Sequence, residues 1–355
     1  MQLPSLSVGL LFLACLPTAA LAAENDDAEV AASERIAVLA AMYKGYTMKT
    51  MMDRHLNTQV RERRDWGRFS TEEKEAFIDA VHCLNSMPGE TPRDRAPGAR
   101  TRYDDFIVAH IEQTPFVHSS GLFLPFHRYF LHLFDQDIRE KCGYKGPFPF
   151  WDWTRSYKDP REAAVFDGSP YSLGGNGAYV AGRVGTNITL PNGTIKTIPP
   201  ATGGGCVESG PFTPDKFELR LGPVGYEPQG PDGGLGYNPR CLTRDLSPVF
   251  SRDTSPSRVV ALLDQCWDLA CVNEHMDAPG GVPGGVHAAG HWQVGLNALD
   301  VYASPSDPIF WLHHAQVDRI WTIWQGLDPG RRHEQAIRDL ISAIDGEFYY
   351  WYPDH

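Results

Sequence analysis

Residues 306–321 read SDPIFWLHHAQVDRIW, and no other stretch restricts the fold as tightly. Apolar residues dominate it and no Gly or Pro interrupts 309–325, so it reads as a helix over roughly 307–325, buried by its own composition. His313 and His314 sit side by side inside it. An imidazole buried without a polar partner costs about 1–3 kcal/mol. The rest of the chain must therefore fold so as to bring partners to these rings.

Among 13 histidines, two further groups show spacing. His110, His118 and His127 form the first. Phe106, Val108, Ala109 and Ile111 surround His110 at helical spacing, and Phe126, Tyr129, Phe130, Leu133 and Phe134 surround His127. Thr114-Pro115 and Ser119-Ser120-Gly121 interrupt the two patterns and leave His118 near a loop. The second group is His287-Ala-Ala-Gly-His291, whose histidines share one helix face and can chelate one ion together with the 313–314 pair. Zinc proteases use the same pair with a glutamate after the first histidine as base. Ala288 occupies that position, which disfavours a zinc hydrolase. Cysteine is missing from both groups and carboxylates are few. Three neutral imidazoles per site suit copper, and two coppers supply the two electrons that take O2 to the peroxide level. His55, His82, His132, His275, His333 and His355 each read as ordinary core or surface histidines.

The 355 residues carry a net charge of −12 and no basic run, so nucleic acid and anionic membranes are unsuitable partners. Residues 1–22 have the apolar stretch and Ala20-Leu21-Ala22 pattern of a signal peptide cut about Ala22 or Ala23. Cys15 would leave with it. Cys83, Cys142, Cys206, Cys241, Cys266 and Cys271 remain, an even set that suits an oxidising compartment and up to three disulfides. Many pairings are open; the working one is Cys83–Cys142, Cys206–Cys241 and Cys266–Cys271. Sequons at Asn187 and Asn192 suit surface glycans.

Helix formers fill 32–62, and Ser70 with Glu73 makes a capping box for a helix closed by Met87-Pro88-Gly89. Residues 155–256 are loops rich in Gly, Pro, Ser and Asn, helical character returns over 257–273, and the aromatic end GEFYYWYPDH is extended. No repeat or linker divides the chain, so 24–355 is read as one domain.

HSSGLFLPFHRYFLHLFD (118–135) resembles the first copper motif of the tyrosinase / catechol oxidase family. GVHAAGHW, with the 306–321 segment, resembles the second. The similarity runs from about Arg63 to Tyr352, includes AFIDAVHCL, FPFWDW and the GGGC…SGPF segment, and is greatest to short secreted fungal polyphenol oxidases. It implies a mainly α-helical fold in which a central four-helix bundle holds a dicopper centre, with long Gly/Pro-rich loops and few short strands. It implies His110, His118 and His127 on the first copper, and His287, His291 and one of the 313–314 pair on the second. The family keeps a histidine seven residues after the Asp of Asp-Pro-x-Phe, which here is His314. On this reading Asp318 orients His314, His313 packs beside the ligands or supports them, Phe310 lies against the ligands and Arg128 makes a structural ion pair. Ala288 and Trp292 are candidates for the substrate entrance. Phe116 stands where some relatives carry a thioether-forming Cys.

The resemblance further implies a secreted enzyme that oxidises o-diphenols to o-quinones with O2, as a monomer or small oligomer. Ala288, where hydroxylating relatives use Asn with an upstream Glu to hold a water, weighs against monophenols, and neither Glu274 nor Asp277 is placed by sequence. A true tyrosinase, an o-aminophenol oxidase and a hemocyanin-like oxygen carrier are the other readings. The chain stops soon after Tyr350-Trp351-Tyr352, so no C-terminal shielding domain is expected.

Overall fold

The computed structural model describes residues 18–53, 60–190, 193–277, 284–328 and 350–351. Its helices are α1 (Thr18–Asp53), α2 (Thr71–Ser86), α3 (Arg102–Val117), α4 (Phe123–Glu140), the single turn α5 (Pro248–Ser251), α6 (Pro256–Gln265), α7 (Leu269–Asp277), α8 (Val286–Val294), the single turn α9 (Leu296–Leu299) and α10 (Ile309–Leu327). The strands are β1 (Arg61–Asp65), β2 (Phe148–Phe150), β3 (Gly177–Tyr179), β4 (Thr186–Thr189), β5 (Ile195–Ile198), β6 (Gly204–Val207) and β7 (Tyr350–Trp351). The chain is thus mainly helical, and among the described residues no helix is long and apolar enough to cross a membrane.

Helix α10 is the axis of the molecule. Every residue from Ile309 to Gln325 is buried, as expected of a helix that is apolar on nearly all sides. It packs against α1, α4, α8 and β2. The central bundle is α3 with α4 and α8 with α10, so each histidine group sits on one helix pair. The capping box forms as the sequence indicated: Ser70 Oγ accepts from the Glu73 amide at 3.3 Å, and Glu73 accepts from the Ser70 amide at 2.9 Å. Helix α2 ends at Met87, its C-cap.

Three local expectations need correction. The helix read over 32–62 starts earlier and ends at Asp53; 54–59 lie outside the described residues, and 61–65 form a strand. RERRD has good helix formers, but β1 is the middle strand of a parallel sheet of order β2-β1-β7, where Arg63 pairs with Phe148 and Arg61 with Tyr350. Sheet pairing overrides propensity there. Helix α3 continues through Pro115 to Val117, giving up the one i→i−4 hydrogen bond that the missing Pro115 N–H would have made. The 257–273 helix is two helices, α6 and α7, bridged across their break by Cys266–Cys271. The other disulfides are Cys83–Cys142, which ties α2 to the end of α4, and Cys206–Cys241.

The long loops carry two small antiparallel sheets, β3 with β6 and the hairpin β4–β5. Asn187 is exposed on β4, and its Oδ1 accepts from Thr197 Oγ1 at 2.6 Å. Asn192 lies outside the described residues, as does the greater part of the presumptive signal segment.

Candidate metal centre

The bundle turns its histidines inward. His110 comes from α3, His118 is the C-cap of that helix, and His127 comes from the first turns of α4. His287 and His291 lie one turn apart on α8, and His313 and His314 on α10. One ligand-capable atom from each of His110, His118 and His127 lies within 4.8 Å of the others, and the same holds for His287, His291, His313 and His314. The groups face each other, since the His127 and His314 rings stack with centroids 4.1 Å apart at 9°. Phe310 lies against both, 5.1 Å from the His110 ring and 4.2 Å from His314.

Hydrogen bonds to the far ring nitrogens decide which nitrogen can bind an ion. A carbonyl or carboxylate only accepts, so its imidazole partner donates. His110 Nδ1 donates to the Tyr302 carbonyl (2.7 Å), His118 Nδ1 to Thr114 (3.3 Å), His127 Nδ1 to Phe123 (2.8 Å) and His291 Nδ1 to Ala298 (2.8 Å). His287 Nδ1 donates to Asp277 Oδ1 at 2.5 Å. Burial, the largest cause, pushes His110 down to about 3 and His118 to about 4, and holds His127, His291 and His314 well below the ordinary imidazole value. Burial thus favours the neutral form of these five rings, and wherever the proton of a neutral ring sits on Nδ1, Nε2 holds a bare lone pair.

Those lone pairs converge. His110 Nε2 is 3.3 Å from His127 Nε2, and His291 Nε2 is 3.1 Å from His287 Nε2 and 3.2 Å from His314 Nε2. Two acceptors so close repel unless a cation lies between them. Metal–imidazole bonds of about 2 Å place the nitrogens roughly 3.3 Å apart, which is the spacing observed. The residues therefore fit a metal pair, and an all-imidazole donor set fits copper.

His313 differs from its neighbour. Its Nδ1 accepts from Trp153 Nε1 at 3.2 Å, which puts the proton on Nε2 and leaves neither lone pair for an ion. It stacks on His287 (5.3 Å, 19°). His314 Nδ1 has no hydrogen-bond partner, so the expected orienting bond from Asp318 is not formed. Asp318 instead accepts from Arg128 Nε at 2.5 Å and Arg63 Nη1 at 2.8 Å, two buried guanidiniums that a carboxylate neutralises better than an imidazole would. Arg128 also donates to Thr322 Oγ1 and Gln325 Oε1 and lies 3.9 Å over the Trp321 ring.

Beside the histidines opens a mostly apolar cavity. His118, His287 and His291 share its walls with Leu190, Ala288, Trp292, Leu299 and Val301, so both entrance candidates belong to it. Asp277, Lys196, Ser119 and Ser304 are its polar members. Asp277 was visible but unplaced in the sequence, Trp153 stood in a motif without a role, and nothing local marked Lys196. A further group, Cys266, Cys271 and His275, is no metal site because its two sulfurs are joined. Cys83 is likewise in a disulfide, and Phe116 points to solvent, 69% exposed.

Residues 100–327, well over half the chain, match the common central domain of tyrosinase. Tyrosinase P of Aspergillus terreus is 39% identical over 302 residues, covering 82% of this chain and 81% of that protein. N-acetyl-6-hydroxytryptophan oxidase of Emericella nidulans is 36% identical over 313 residues, with coverage of 82% and 81%. The solved structure of a polyphenol oxidase variant from Thermothelomyces thermophila superposes with a TM-score of 0.83 at 34% identity, covering 90% of this chain and 98% of that one. With lone pairs converging at two facing sites and these likenesses across most of its length, the chain belongs to the tyrosinase family and is a copper oxidoreductase whose cofactors are two copper ions.

Proposed function

We propose that this protein is a secreted o-diphenol oxidase. A catechol ring gives up two electrons and two protons to become the o-quinone, and two such rings reduce one O2 to two waters. His110, His118 and His127 would hold one copper, and His287, His291 and His314 would hold the other. When bound, the copper pair supplies electrons to O2 and recovers them from the phenol. The observation that carries this reading is the inward convergence of the Nε2 lone pairs next to an apolar, ring-accepting cavity.

The chain's own residues prepare that chemistry. Backbone carbonyls of Tyr302, Phe123 and Ala298 and the Asp277 carboxylate aim the imidazoles. Leu190, Ala288, Trp292, Leu299 and Val301 exclude water and receive a flat ring. The preference for o-diphenols over monophenols rests on two points. Ala288 offers a methyl group where a water-holding amide would serve phenol deprotonation, and the pocket carboxylate, Asp277, already accepts from His287. Three disulfides, the signal-like start and an exposed Asn187 sequon support export.

Oxygen uptake by one copper-loaded preparation given 4-methylcatechol, 4-methylphenol and 2-amino-4-methylphenol tests the reading. Uptake should be prompt with the catechol and at least about ten-fold slower with the phenol. Comparable rates on the phenol would make the protein a tyrosinase, and prompt uptake with only the aminophenol would make it an aminophenol oxidase. Reversible O2 absorption with no turnover would make it an oxygen carrier.

A further inference from the structure

The hairpin β4–β5 contributes Leu190 and Lys196 to the cavity wall. Strand alternation puts Lys196 and Ile198 on one face and turns Ile195, 66% exposed, to the other. Ile198 and its partner strand's Ile188 pack in one cluster with Trp292, Phe250 and Leu299. That packing sets Lys196 above Trp292, with its Nζ 4.7 Å from the ring centroid, and Lys196 lines the same cavity as His118, His287 and His291. Of the charged side chains in that lining, Asp277 has Oδ1 committed to His287. Lys196 supplies the ammonium of the wall, and the Asp277 charge acts on it.

We propose that Lys196 is a specificity-determining residue that selects phenols bearing a carboxylate on the side of the ring away from the reacting oxygens. The proposal rests on the diphenol-oxidase reading for its choice of substrate and on the hairpin geometry for its choice of charge. The chain as a whole carries −12 and repels anions at long range, so a carboxylate-bearing aromatic is admitted only where a local cation offsets that field. Lys196 is partly withdrawn from water, where a charge acts more strongly than on an open surface. Its Nζ lies over the Trp292 ring, so an ammonium stands beside an aromatic wall against which a substrate ring can pack.

The test compares 3,4-dihydroxyphenylacetate with 4-methylcatechol on the copper-loaded enzyme, and benzoate with benzamide binding by calorimetry. Lys196→Met should lower the acid-to-neutral ratio of kcat/KM about five-fold, chiefly through KM, and weaken benzoate relative to benzamide by a similar factor. Lys196→Arg should keep the ratio, Lys196→Glu should lower it further than Lys196→Met does, and raised ionic strength should shrink the wild-type preference. Equal losses on acid and neutral compounds would reduce Lys196 to a packing residue and overturn the proposal. A wild type that turns over neither catechol, yet binds benzoate over benzamide only while Lys196 is present, would retire the diphenol reading and leave the lysine assignment standing.

Discussion

Two adjacent histidines hold different jobs because of a single hydrogen bond. The Trp153 indole occupies the His313 lone pair, while His314 keeps Nε2 among the converging nitrogens. Removing His314 therefore opens a ligand position: His314→Ala should lose about one of two coppers and the oxidase activity. His313→Ala should retain both coppers while losing about 1–3 kcal/mol of stability, since the buried Trp153 N–H is left without an acceptor. Copper content by atomic absorption and urea unfolding measure the two effects, and copper loss confined to the His313 variant would contradict the assignment. Gly290 shows how tightly His313 is seated. A Cβ there would fall 2.1 Å from His313 Cε1, so the glycine between the α8 ligands is required by a ring on another helix.

Elements are fastened to one another chiefly through α10. Arg128 of α4 and Arg63 of β1 meet on Asp318 of α10, joining three elements at one buried carboxylate. Breaking such a network strands charge in the interior, so Arg128→Met should cost about 3 kcal/mol, lower than a complete loss of compensation because Arg63 remains. Ser70→Ala, at the exposed capping box of α2, should cost only about 1 kcal/mol. Denaturant midpoints of the two variants give the comparison, and equal shifts would show that the network is not the stronger fastening. A second buried pair works the same way at the start of α10: Arg244 chelates Asp307 at 2.7 and 2.8 Å, and Asp307 also accepts from the Ile309 amide.

At the scale of the whole molecule, the centre places neutral imidazoles where the fold without metal gains least from them. The unfolded chain protonates its histidines below about pH 6.5, whereas folded His110 and His118 are held to about 3 and about 4. Between those values the unfolded state binds more protons, so stability is full above about pH 6.5 and falls as the pH drops toward 4. Copper-free protein should show a lower urea midpoint at pH 5 than at pH 7, and a higher one at pH 5 would reverse the sign. Copper binds only the folded arrangement of ligands, so loading it should raise the midpoint at pH 7.

Much of this molecule was legible locally. The helical periods around His110 and His127, the Ser70 capping box, the HAAGH face and the apolar run at 309–325 depend on neighbours within a turn or two, and sequence carries that information directly. What it left open depends on partners far along the chain. RERRD became a strand because Phe148 and Tyr350 flank it, and Asp318 turned from His314 to Arg63 and Arg128 because two guanidiniums are buried beside it. Asp277 reached His287 from the end of α7, and Lys196 reached the cavity from a hairpin in a segment whose composition says only that it is irregular. Two histidine groups on helices at ligand spacing follow from local chain order, because helical periodicity reaches only a turn or two. Which ring nitrogen carries the proton and which charged groups line the cavity follow from the folded arrangement, because they depend on hydrogen bonds and strand pairing between segments far apart in the chain.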